Sequence, residues 1–92
     1  MTCILFSRPE HDTVLAYLFY YSKKLVNLAV SNGYKTINKE RKDANKLVIS
    51  SVIKKQVPDL IMFNGHGSPY YICGHNNEVI ISNDNVELLD KK

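Results

Sequence analysis

Apolar positions fall along this chain in two rhythms. Short unbroken runs, TCILF at residues 2–6 and LIMF inside DLIMFN at 59–64, read as strands buried on both faces. Between them, Val14, Leu18, Tyr21, Leu25 and Leu28 recur every three or four positions, with Lys23, Lys24, Asn27 and Ser31 on the other side. That spacing predicts an amphipathic helix from Thr13 to about Asn32, packed through the Val14–Leu28 stripe. Asp12 is a suitable N-cap for it, and Gly33 stands at the C′ position that favours a left-handed backbone.

The second half repeats the alternation. YKTIN (34–38) is a more polar strand suited to a sheet edge, and Asp43 is positioned to cap a second helix over Ala44–Gln56. Leu47, Val48, Ser51 and Val52 form its expected inward face, Lys54 and Lys55 suit its negative end, and Pro58 stops it. After the third strand, YYIC (70–73) and EVIIS (78–82) flank GHNN, a hairpin pattern. Ser82 or Asn83 then caps a short helix in DNVELL, and the sequence closes on Lys91-Lys92. Strand–helix–strand–helix–strand order implies a small three-layer α/β/α domain over residues 1–92, with a mainly parallel sheet in order 2-1-3 and a β-hairpin after strand 3.

Composition narrows the function classes only slightly. Twelve basic residues against nine acidic ones give a net charge of +3, most of it in a solvated stretch from Tyr34 to Lys46. Aromatic residues do not interleave with that stretch, and no nucleic-acid motif accompanies it, so nucleic acid is not an expected partner. Residues 1–12 lack the basic n-region and long apolar core of a secretory signal, and no run is long enough to span a membrane. Two cysteines without such a signal point to a reduced, cytoplasmic setting. Gly65-x-Gly67 is neither a dinucleotide fingerprint nor a P-loop, and no cofactor is implied.

Chemistry concentrates at Gly65-His66-Gly67. His66 lies just past an apolar strand, where open α/β sheets place their sites, and an imidazole there suits proton transfer near neutral pH. Glycines on both sides free the backbone for a sharp turn or a close approach. The plainer reading makes His66 a solvated loop residue in a glycine turn.

The run of apolar strand, NGHGSP, hairpin and IISNDNVELLDKK resembles the caspase-like (clan CD) cysteine peptidases, nearest the gingipain, clostripain and CHAT branches. The preceding strand–helix–strand–helix order matches as well, so the resemblance spans nearly the whole chain. It implies that His66 is the catalytic acid/base of a Cys-His peptidase acting on a peptide or protein substrate. It further implies that the Gly67 N–H helps bind the oxyanion, and that Arg8 stands where caspases bind an acidic substrate side chain. The nucleophilic cysteine of that family closes the strand after the position of VELLDKK, and no residue here matches it. The chain alone is therefore expected to be inactive, with an open sheet edge beside the His66 strand that invites self-association or a missing strand.

Other readings use the same residues. Cys73 follows His66 by seven positions on a hairpin arm and is expected to be an inert buried thiol. Cys73-x-His75 with His66 has zinc-type ligands but no second pair to complete a tetrahedron. Tyr17, Tyr20 and Tyr21 are expected as core and rim aromatics, or, if exposed, as a docking face. The alternatives to a peptidase are a non-catalytic interaction module of the same fold and a small flavodoxin-like regulatory domain.

Overall fold

The computed structural model describes residues 2–68 and 70–89; the closing Lys91-Lys92 lies outside them. Strand β1 (Cys3–Arg8) pairs in parallel with β2 (Lys35–Glu40) on one side and β3 (Leu60–Phe63) on the other, giving the order β2-β1-β3. Helix α1 (Thr13–Ser31) connects β1 to β2, and α2 (Lys46–Gln56) connects β2 to β3. Successive residues of β1 point to opposite faces. Accordingly Ile4 and Phe6 pack with Val26 and Ala29 of α1, while Leu5 packs with Ile49 and Ile53 of α2. The result is a mixed α/β domain with one helix on each face of the parallel sheet.

A second sheet, antiparallel, follows β3: β4 (Gly67–Ser68), β5 (Tyr71–Cys73) and β6 (Val79–Ser82), in that order. The β5–β6 pair is the hairpin expected from YYIC and EVIIS; the two-residue β4 was not legible in the sequence. Ile80 and Ile81 of β6 complete the core beneath α2. The hairpin loop is a turn of 3-10 helix at His75–Asn77, with Asn76 and Asn77 in the left-handed region that asparagine tolerates. The last helix is likewise 3-10, over Val86–Leu89.

Both α-helices bury a different stripe from the one their spacing suggested. In α1 the buried residues are Leu15, Ser22, Val26 and Ala29, whereas Val14, Leu18, Tyr21, Leu25 and Leu28 are 42–61% exposed. Val26 and Ala29 pack on Ile4 and Phe6, and the Val14–Leu28 stripe is turned aside. In α2 the cap is Asn45, whose side chain accepts from the Val48 N–H at 2.9 Å, and not Asp43, which ends a 3-10 turn at Arg41–Asp43. Its buried pair is Ile49 and Ile53, one helical turn apart, and Leu47 is exposed.

Arg8 is completely buried at the end of β1. Its Nε donates to Ser22 Oγ at 2.8 Å, one terminal nitrogen to the Phe19 carbonyl at 2.6 Å, and the other to Asn38 and Glu40 at 3.2 Å. Burial lowers the guanidinium's pKa, and Glu40 opposes that shift. The substrate-facing position that the family resemblance gave Arg8 is thus corrected. Its donors tie α1 and β2 to β1 inside the fold.

Candidate functional site

The carboxyl ends of adjacent parallel strands bring their following loops together. With β1 and β3 side by side, the loop carrying His11 and Asp12 meets the loop carrying His66. Asp12 Oδ2 lies 2.7 Å from His66 Nε2, and Asp12 Oδ1 accepts the Leu15 N–H at 2.9 Å. One carboxylate therefore caps α1 and holds the imidazole. An ionised carboxylate can only accept, so His66 donates through Nε2 and its neutral ring presents Nδ1 as the basic nitrogen. Both side chains are part-exposed, at 43% for His66 and 39% for Asp12. The Leu15 amide, then the His66 hydrogen bond, hold the Asp12 carboxyl below the ordinary carboxylate range.

The other two histidines of the chain sit at the same place. His11 Nδ1 accepts the Asn76 N–H at 2.9 Å, which leaves its Nε2 proton for Asn77 Oδ1 at 3.2 Å. Its Nε2 is also 3.9 Å from Asp12 Oδ2. The His11 ring lies edge-on to His66 and His75, with centroids 6.3 and 5.5 Å apart. His75 is fixed by its backbone N–H to the Ala44 carbonyl at 2.8 Å, and its Nδ1 is buried without a hydrogen-bond partner in the structure. Among the described residues no group of three or more His, Cys, Asp or Glu is arranged to hold a metal ion, so the Cys73, His75 and His66 set is not assembled.

The glycines beside His66 answer to packing. A Cβ on Gly65 would stand 1.9 Å from the Cys73 carbonyl oxygen, and one on Gly67 would stand 3.1 Å from that of Tyr71. Neither has a positive φ; Gly33, at +78°, is the glycine that does. The hairpin backbone thus lies directly against the His66 loop. Gly67 opposes Ile72, and the Cys73 N–H donates to the His66 carbonyl at 2.8 Å. Antiparallel ladders alternate hydrogen-bonded and non-hydrogen-bonded pairs, so the Gly67 N–H points away from β5.

The same ladder sets Cys73 opposite His66, and both line a cleft of about 290 Å³ with Gly67, Tyr71, Asn77 and Val79. The hairpin arm therefore returns toward His66 and does not lead away from it. Cys73 is nevertheless buried, and burial pushes its thiol pKa up, opposite to what a thiolate nucleophile needs.

Sequence reasoning found Asp12 as a cap and His66 as a candidate base, but did not join them. The order 2-1-3 was the available signal, since it makes the two loops neighbours. His11 was missed for the same reason. No family model matches this chain, and neither a curated protein nor a solved structure matches it.

Proposed function

We propose that His66, held by Asp12, is the general acid/base of a peptide-hydrolysing site of the caspase-like kind. The observation that carries this reading is the 2.7 Å Asp12–His66 pair at the carboxyl ends of β1 and β3. Asp12 fixes the ring, and Nδ1 is the nitrogen left to exchange a proton with a reactant. The outward Gly67 N–H supports a role as oxyanion donor, because it needs no partner within the β4–β5 ladder.

The nucleophile in this reading is a thiolate carried by a strand laid against β3. Among the described residues β3 has β1 on one side and no strand on the other. The thiolate attacks the scissile carbonyl carbon, and His66 gives its proton to the departing amine nitrogen. Water then attacks the thioester, with His66 taking a proton and the thiolate leaving. Buried, high-pKa Cys73 does not suit that role. Both described cysteines are free thiols, which suits a reducing compartment, and a cytoplasmic location is part of the proposal.

Hydrolysis of fluorogenic peptide amides by the protein isolated from its natural host, together with whatever chain donates the thiol-bearing strand, tests this reading. His66→Ala is expected to lower kcat/KM at least about 100-fold. Peptide-amide turnover that is undiminished by His66→Ala, or absent altogether, overturns it. In the second case the interaction-module reading gains, and the exposed apolar stripe of α1 is the observation that favours it.

A further inference from the structure

The turn between β5 and β6 runs through two consecutive left-handed residues, Asn76 at φ 54° and Asn77 at φ 60°. Asparagine tolerates that backbone, but two in succession persist only where the surroundings hold them. Part of the support is local, since the Gly74 and His75 carbonyls accept the Asn77 and Glu78 amides. The rest comes from His11, 65 positions earlier in the chain. Its Nδ1 accepts the Asn76 N–H at 2.9 Å, and its Nε2 meets Asn77 Oδ1 at 3.2 Å. One imidazole therefore holds both left-handed residues.

We infer that His11 is a pH-sensitive latch, which holds the Asn76–Asn77 turn at the His66 cleft while its ring is neutral and releases it when the ring takes up a proton. The atoms allow one closed form. An N–H donates to Nδ1, so the neutral ring carries its single proton on Nε2, where Asn77 Oδ1 receives it. A protonated imidazole has two donors and no acceptor, so its Nδ1–H would confront the Asn76 N–H. Water offers the ring little relief, because the side chain is only 10% exposed.

The groups around His11 bear on the same step. His66 and His75 face it from the two neighbouring loops, with ring centroids 6.3 and 5.5 Å away, and each repels it once charged. Asp12 Oδ2, at 3.9 Å from Nε2, opposes release, but its two oxygens already receive His66 and the Leu15 amide. Glu10 is paired with Arg41, and Glu78 accepts the Lys46 amide. Imidazoles take up protons between roughly pH 7 and pH 5, so the latch is closed at neutral pH and opens below it. Release is local, because Ile80 and Ile81 stay in the core and the Ala44 carbonyl keeps the His75 N–H. Asn77 is one wall of the cleft of about 290 Å³ that His66, Gly67 and Cys73 share, so the latch ties the shape of that cleft to pH.

This inference is independent of the acid/base reading of His66. Amide hydrogen exchange of the full chain, followed by NMR at about pH 7.5 and about pH 5 and corrected for the intrinsic pH dependence of exchange, tests it. Protection of the Asn76 amide is expected to fall roughly tenfold at the lower pH. The Ile49 amide, held by the Asn45 carbonyl in α2, is expected to keep its protection. His11→Phe keeps a ring but no acceptor, and its Asn76 amide is expected to be weakly protected at both pH values. His75→Gln removes the neighbouring imidazole and is expected to retain the pH response of the parent. Equal Asn76 protection in the parent at both pH values overturns the proposal. So does a parent-like response in His11→Phe, or loss of the response in folded His75→Gln.

Discussion

Asp12 holds the Leu15 amide with one carboxylate oxygen, at 2.9 Å, and the His66 ring with the other, at 2.7 Å. The helix cap and the candidate catalytic base are therefore one unit, built from residues 54 positions apart. That linkage makes the site's integrity dependent on the start of α1, and makes the start of α1 dependent on pH.

The pH dependence has a definite sign. The folded Asp12 carboxyl is held below its ordinary value, first by the Leu15 amide and second by His66. Its contribution to stability is therefore present above the unfolded pKa of about 3.9 and is lost as pH falls through the lower folded value. Asp12→Asn keeps a capping oxygen but carries no charge. Thermal melts of the two proteins are expected to differ near pH 6, parent higher, and to converge as pH falls below about 4. Melting curves separated equally at both pH values would contradict the linkage.

Arg8 is expected to matter for folding alone. Arg8→Ala leaves Glu40 and Asn38 without the guanidinium and opens a cavity beneath Phe19, whose ring lies 4.3 Å from the Arg8 guanidinium carbon. Glu40 retains some access to water, so the cost is expected near the lower end for breaking a buried pair, about 3 kcal/mol in urea denaturation. Arg8→Lys should recover little of it, because an ammonium cannot reach four acceptors in a planar fork.

How much of this was readable beforehand depended on the kind of signal. Strand order and the two crossover helices followed from the alternation of apolar runs, Pro9, Gly33 and Pro58. The faces of the helices did not. Spacing alone favours the Val14–Leu28 stripe in α1, yet the buried residues are Leu15, Ser22, Val26 and Ala29, with Val26 and Ala29 against Ile4 and Phe6 and Ser22 taken by Arg8. The family resemblance turned Arg8 toward a substrate; the buried Ser22 hydroxyl and the Phe19 carbonyl that receive it lie more than ten residues away. The His11, Asp12 and His66 cluster is a purely tertiary event, visible only once two loops are placed side by side.

The glycines give a graded test. Gly65→Ala forces a methyl carbon against the Cys73 carbonyl, where backbone must move, and is expected to cost more than the usual 1–3 kcal/mol or so of overpacking. Gly67→Ala meets the Tyr71 carbonyl at 3.1 Å and should be milder. Urea midpoints are expected in the order parent, Gly67→Ala, Gly65→Ala. The reverse order for the two variants would mean that the hairpin does not lie against the His66 loop.

Cys73 is expected to behave as a core residue. Its burial and raised thiol pKa predict slow reaction with a disulfide reagent at pH 8 in the folded protein and prompt reaction in denaturant. Cys73→Ser is expected to leave any peptide-amide turnover intact. Loss of turnover in a correctly folded Cys73→Ser protein would assign the nucleophile to Cys73 after all.

The pairing of Asp12 with His66 is the claim on which the site rests, and the Asp12 carboxyl reports it directly. Its titration can be followed by the Cγ carbon resonance in the parent chain and in His66→Ala. The parent midpoint is expected below the ordinary aspartate value. In His66→Ala it should rise only part of the way back, because the Leu15 amide still binds Oδ1. The same midpoint in both proteins would show that His66 is not held by Asp12, and the proposed acid/base site would fall with it.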